Sequence, residues 1–148
     1  MIHQLVRRTH VAVPLERAFA LFADAANLER ITPPALRFRI LTPLPIEMRE
    51  GAEIEYRLRL RGIPFGWHTR IDVWDPPHRF VDRQLRGPYR EWVHTHAFRD
   101  RHGHTEIEDH VAYRLPLPPF GELVHGLVRR ELDAVFAFRE RAILELIR

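Results

Sequence analysis

The chain has 148 residues and among them no cysteine, no serine and no lysine. Each absence excludes chemistry. Without cysteine there is no disulfide, no thiolate metal site and no thiol nucleophile, and zero cysteines suit any redox compartment. Without serine and lysine, serine nucleophiles, Schiff bases and lysine-dependent phosphate loops fall away as well. All 23 basic residues are therefore arginine, set against 20 acids for a net charge of +3. The arginines are interleaved with acids: Glu53, Glu55, Arg57, Arg59 and Arg61 share one face of a strand pattern. That reads as a solvated, ion-paired face and not as the basic patch with stacking aromatics that nucleic acid requires. No run approaches the eighteen or so apolar residues that span a bilayer. The stretch from Met1 to Val13 carries Arg7, Arg8 and two histidines, with no apolar segment of signal-peptide length. The expectation is a soluble cytoplasmic protein with no nucleic-acid partner and no integral membrane segment.

What is present is ordinary for a globular chain, 45% hydrophobic and 29% charged, and the length suits one domain over residues 1–148. Val6–Val13 reads as a strand stopped by Pro14. Leu15–Ala23 has helical spacing, and Asp24–Ile31 a second short helix ended by Thr32-Pro33-Pro34. The pattern then turns to period two, with strands at Phe38–Leu41, Glu53–Arg61, Trp67–Trp74, Phe80–Leu85, Glu91–Phe98 and Thr105–Leu115. A turn is expected at Gly62–Gly66 and a polar loop at Asp100–His104. A long helix over Glu122–Ile147 closes the chain, with an apolar stripe that includes Leu132, Val135, Phe136 and Ile143.

The order of these elements resembles the helix-grip fold of the SRPBCC superfamily, which includes START domains, polyketide cyclases and pollen allergens. Four stretches carry the likeness: Val13-Pro14-Leu15-Glu16-Arg17-Ala18-Phe19, the segment Asp24–Pro34, Val73-Trp74-Asp75-Pro76-Pro77, and Phe80-Val81-Asp82. More narrowly, Asp82-x-Gln84-x-x-Gly87-Pro88-Tyr89 with Trp92-x-His94-x-His96-x-Phe98 is similar to a subgroup of small bacterial ligand-binding members. The resemblance implies an α+β fold: a curved antiparallel sheet of about seven strands, two short helices after the first, and the long helix across the concave face. It also implies a deep cavity between sheet and helix for an apolar or amphipathic molecule. Members range from carriers to cyclases and hydrolases, so the fold alone chooses no reaction.

Alternation nominates the residues of that cavity. Trp92, His94, His96 and Phe98 share a strand face whose bulk suits the interior. Thr105, Ile107, Asp109, Val111 and Tyr113 share the inward face of the last strand. On the strand before, either Phe80, Asp82 and Gln84 or Val81, Arg83 and Leu85 face in, and the resemblance favours Asp82 and Gln84. Tyr56 and Leu58 come from the third strand, Trp67 and Thr69 from the floor, and Leu132 and Phe136 from the helix. Polar groups buried here must satisfy one another or a ligand. His96 donating to Asp109 as a cross-strand tie is one arrangement; orientation of a ligand's polar head is another. Acid–base catalysis by His94, His96 and Asp109 is the third.

His94-x-His96 has a spacing that metal sites use, with Asp82 or Asp109 as a third donor, and His102 and His104 form a second pair in a loop. The expectation is nevertheless no metal and no cofactor. Glu131 and Arg139 fall near the edges of the helix stripe, where one of them can reach into the cavity, but both are expected to snorkel to water. Pro43–Ile46 and Arg61–Phe65 are expected to rim the entrance. The function expected is a carrier or sensor for a lipophilic small molecule (fatty acyl, isoprenoid, quinone or polyketide-like). The alternative is a cyclase/dehydrase- or hydrolase-like enzyme using histidine and aspartate in the same cavity.

Overall fold

Residues 1–147 are described by a computed structural model. Strand β1 (His3–Val11) ends three residues before Pro14, which opens α1 (Leu15–Ala23). A single helical turn, α2 (Asn27–Arg30), a 3-10 turn at Pro34–Leu36 and the short β2 (Arg39–Ile40) follow. Five long strands then run consecutively: β3 (Glu53–Leu60), β4 (Ile63–Asp75), β5 (Arg79–Arg86), β6 (Glu91–Arg101) and β7 (His104–Arg114). The chain ends in α3 (Phe120–Leu123) and α4 (His125–Ile147). All neighbours in the seven-stranded sheet are antiparallel, in the order β1-β7-β6-β5-β4-β3-β2. The expected α+β helix-grip architecture is the one observed.

Two local expectations are corrected. The turn read at Gly62–Gly66 is a two-residue hairpin. Arg61 and Gly62 both have positive φ (51° and 78°), and Leu60 already pairs with Ile63. Positive φ at both central positions gives the tight turn whose twist matches its strands. Phe65 and Gly66 therefore belong to β4, opposite Leu58 and Arg57. The polar loop at Asp100–His104 shrinks in the same way to His102–Gly103, where φ is 57° and 88° and the Asp100 carboxylate accepts from the Gly103 amide at 3.0 Å.

The long C-terminal helix is also not continuous from Glu122. It breaks at Val124 (φ −103°, ψ 8°), and side chains on either side of the break are tied to the sheet. Glu122 pairs with His3 at 2.8 Å, and the His125 ring stacks on His3 at 3.6 Å while bonding the Tyr113 hydroxyl at 3.1 Å.

The inward face builds two apolar clusters. One gathers Phe19 and Phe22 of α1, Phe80, Phe98, Ile107 and Ile143. The other gathers Leu58, Trp67, Trp92, Val111, Tyr113, Leu132 and Phe136. Strand alternation explains the division. On β6 the inward series is Trp92, His94, His96, Phe98, and on β7 it is Ile107, Asp109, Val111, Tyr113. The two histidines and Asp109 thus form a polar belt between one apolar cluster and the other.

Candidate functional site

The belt closes through hydrogen bonds that run diagonally across the strands. In the ladder Asp82 lies opposite His94, and His96 opposite both Phe80 and Asp109. The bonds join the other pairs: His94 Nε2 to Asp109 Oδ1 at 2.8 Å and His96 Nε2 to Asp82 Oδ2 at 2.7 Å. Ring stacking explains the diagonals. Phe80, His96 and His94 form a continuous stack with centroid separations of 4.0 and 3.7 Å, which turns each imidazole edge towards the carboxylate two residues along. The expected His96–Asp109 tie is reduced to a 3.5 Å approach between His96 Nδ1 and Asp109 Oδ1, and that nitrogen has no hydrogen-bond partner.

Burial sets the charges of this belt. It raises the Asp109 carboxyl, but the His94 hydrogen bond and the charges of Arg139, His94 and His96 outweigh it and hold the group well below the usual carboxylate range. Asp82 is likewise raised by burial and lowered further by the His96 hydrogen bond, His94 and Arg139, so it stays ionised. His96 is pushed down to about 4, first by burial and then by His94, against the pull of both aspartates. Burial, and then the Asp82 charge, push the Tyr56 hydroxyl up, so it remains a neutral phenol.

A cavity of about 180 Å³ lies above the belt, between the sheet and α4. Tyr56, Leu58, Trp67, Thr69, Asp82, Trp92, His94, His96, Leu132 and Phe136 line it, ten of the residues nominated by alternation. The other four are engaged elsewhere. Gln84 accepts from the Tyr89 amide and donates to the Tyr89 carbonyl, bracing the β5–β6 turn. Phe98 packs edge-on to Phe19 and Phe22, Asp109 stands behind His94, and Tyr113 is held by His125. Phe22, Ala25, Leu28, Thr32, Leu36, Phe38 and Met48 also line the cavity, so part of its lining comes from α1 and the chain between α1 and β3. Neither Pro43–Ile46 nor Arg61–Phe65 contributes to that lining.

Arg139 corrects the sequence reading most. Expected in water, it lines the cavity, and its Nε and Nη2 are buried without a hydrogen-bond partner. Its guanidinium lies over the rings of Phe22 and Phe136, 5.5 and 5.8 Å from their centroids. The signal was present in the spacing. Arg139 follows Leu132 by seven residues, two helical turns, and so stands at the middle of the buried row Leu132, Phe136 and Ile143. Glu131 does turn outward, where it pairs with Arg61.

The Asp82, His94 and His96 side chains bring one possible donor atom each within 4.8 Å of one another. Both Nε2 atoms are committed to carboxylates, and stacked imidazoles aim their nitrogens alongside one another, whereas a tetrahedral site needs them convergent at about 2.0–2.1 Å from one ion.

Residues 11–138 match the model of the family described as polyketide cyclase / dehydrase and lipid transport. The chain belongs to this family. Its fold also matches solved structures of the polyketide cyclase, START and latex-like kinds. The Zhui aromatase/cyclase from Streptomyces sp. R1128 superposes with a TM-score of 0.81 at 15% identity, over 99% of this chain and 94% of that one. A START superfamily protein from Mycobacterium smegmatis gives 0.71 at 14% identity, over 97% and 99%. The major latex-like protein 151 of Panax ginseng gives 0.69 at 12% identity, over 100% and 99%. No curated protein matches by sequence. At these identities the polyketide-cyclase-like likeness is one of fold, and the polar belt is read from its own geometry. Among the described residues no helix is long and apolar enough to cross a membrane.

Proposed function

We propose that this protein is a binding protein, a carrier or sensor, for an amphipathic small molecule held between the sheet and α4. The observation that carries this reading is Arg139: a guanidinium with two buried, unpartnered nitrogens facing an otherwise largely apolar cavity. Buried donors without acceptors cost on the order of 1–3 kcal/mol each, and an acceptor oxygen on a bound molecule removes that cost. The volume of about 180 Å³ is close to the roughly 150 Å³ of an engineered apolar cavity that takes up benzene. It accommodates one ring with a substituent; a long acyl chain or fused ring system requires α4 or the Thr32–Phe38 segment to move outward.

A second reading, acid–base catalysis in a cyclase/dehydrase or hydrolase, draws on the two His–Asp pairs at 2.8 and 2.7 Å. The environment of His96 weakens it. Its Nε2 is bonded to Asp82, and its unpartnered Nδ1 lies 3.5 Å from Asp109 Oδ1, so a substrate proton at either nitrogen competes with a carboxylate. His94, bonded through Nε2 alone, is the remaining candidate base. Turnover that disappears in His94→Ala while ligand affinity survives would move the reading to an enzyme.

Trp67 and Trp92 line the cavity and supply an intrinsic probe of binding. Titration with toluene is expected to change tryptophan fluorescence saturably in the wild type. The change should be lost in Val135→Phe, which fills the cavity from α4. A linear, unsaturable response in the wild type counts against binding.

A further inference from the structure

The charges around the cavity select among head groups, and this inference rests on the binding reading above. We propose that the cavity takes a neutral molecule of about one ring's size carrying a hydroxyl, which accepts from Arg139 and donates to Asp82, in preference to a carboxylate or an ammonium of the same shape.

Three features carry it. Arg139 offers buried N–H groups with no acceptor, held in place by the rings of Phe22 and Phe136. An ammonium has no lone pair to give them. Asp82, on the cavity wall, uses Oδ2 for His96 and lies near enough to Arg139 to feel its charge, yet the two form no ion pair among the described residues. A hydroxyl placed between them is both acceptor and donor, so one atom satisfies both sides. Finally, the belt already holds two carboxylates, Asp82 and Asp109, against the single guanidinium of Arg139. A carboxylate ligand would bring a third negative group into a site of low dielectric, where like charges repel most strongly. A phenol or an enol meets all three conditions; benzoate adds a negative charge and has no proton to donate, and benzylamine has no acceptor for Arg139.

Isothermal titration calorimetry of the full chain with p-cresol, toluene, benzoate and benzylamine separates the cases. p-Cresol is expected to bind at least tenfold more tightly than toluene, and benzoate and benzylamine more weakly than p-cresol. Arg139→Met should bring p-cresol to the level of toluene in the same variant, the ratio of the two affinities being the readout. Asp82→Asn, which keeps the shape and removes one negative charge, should raise benzoate affinity relative to p-cresol and serves if Arg139→Met does not fold. Benzoate or benzylamine binding more tightly than p-cresol, or p-cresol no better than toluene, overturns the head-group assignment and leaves the binding reading standing. No binding of any of the four, toluene included, overturns both.

Discussion

Asp109→Ala is expected to lower the unfolding free energy by about 1–3 kcal/mol, the cost of leaving a buried hydrogen-bond donor without its acceptor. Its carboxylate accepts from His94 Nε2 at 2.8 Å, approaches His96 Nδ1 at 3.5 Å, and is 4% exposed. Without it the His94 donor is stranded inside the sheet, and Arg139 loses one of the two carboxylates whose field it shares. For a chain of this length the midpoint should fall by about 5 °C. Urea unfolding of the variant measures the loss directly. A double-mutant cycle with His94→Ala should return a coupling above about 1 kcal/mol. A loss under about 1 kcal/mol in Asp109→Ala would mean that the belt is not a buried hydrogen-bond network.

Acidification is expected to destabilise the protein through His96, by on the order of 3 kcal/mol between pH 7 and pH 4. Burial and His94 hold its folded value at about 4, against 6.5 ordinarily. Between those values the unfolded chain binds the proton and the folded chain does not, so stability rises with pH across the window. The contribution is complete above pH 6.5 and lost as pH falls through about 4. The charged and titratable groups around the ring are Asp82 of β5, His94 of β6, Asp109 of β7, Arg139 of α4 and Tyr56 of β3. Both aspartates are held below their ordinary 3.8 and so add to the loss at still lower pH, with the same sign. Urea midpoints at pH 7, 5.5 and 4 should fall in the wild type and flatten across the window in His96→Gln. Equal slopes in the two proteins would place the proton uptake elsewhere.

Most of the fold was legible because its rules are periodic. Alternation along β7 turns Asp109 inward, side-chain bulk singles out the Trp92, His94 and His96 face of β6, and helical spacing with Pro14 delimits α1 from Leu15 to Ala23. Strand ends were less legible. β4 and β6 run on to two-residue turns because Gly62 and Gly103, each behind a residue that accepts positive φ, make tight hairpins from stretches that read as loops. Which carboxylate each histidine bonds was not legible at all. Register places Asp109 opposite His96, yet stacking along Phe80, His96 and His94 sends its bond to His94. Leu36 and Met48, which also line the cavity, sit in a single 3-10 turn and in irregular chain, too short for a period to betray them. Arg139 was legible in principle: its seven-residue step from Leu132 marks the inward face, and only the habit of sending arginine to solvent hid it.

Native mass spectrometry of freshly purified protein, with solvent extraction of the same sample, tests the central claim most directly. The wild type is expected to carry a small organic molecule that is released on denaturation and absent from Val135→Phe, whose α4 side chain fills the cavity. A wild type that carries no such molecule, or one retained equally by the filled variant, would contradict a binding site between the sheet and α4.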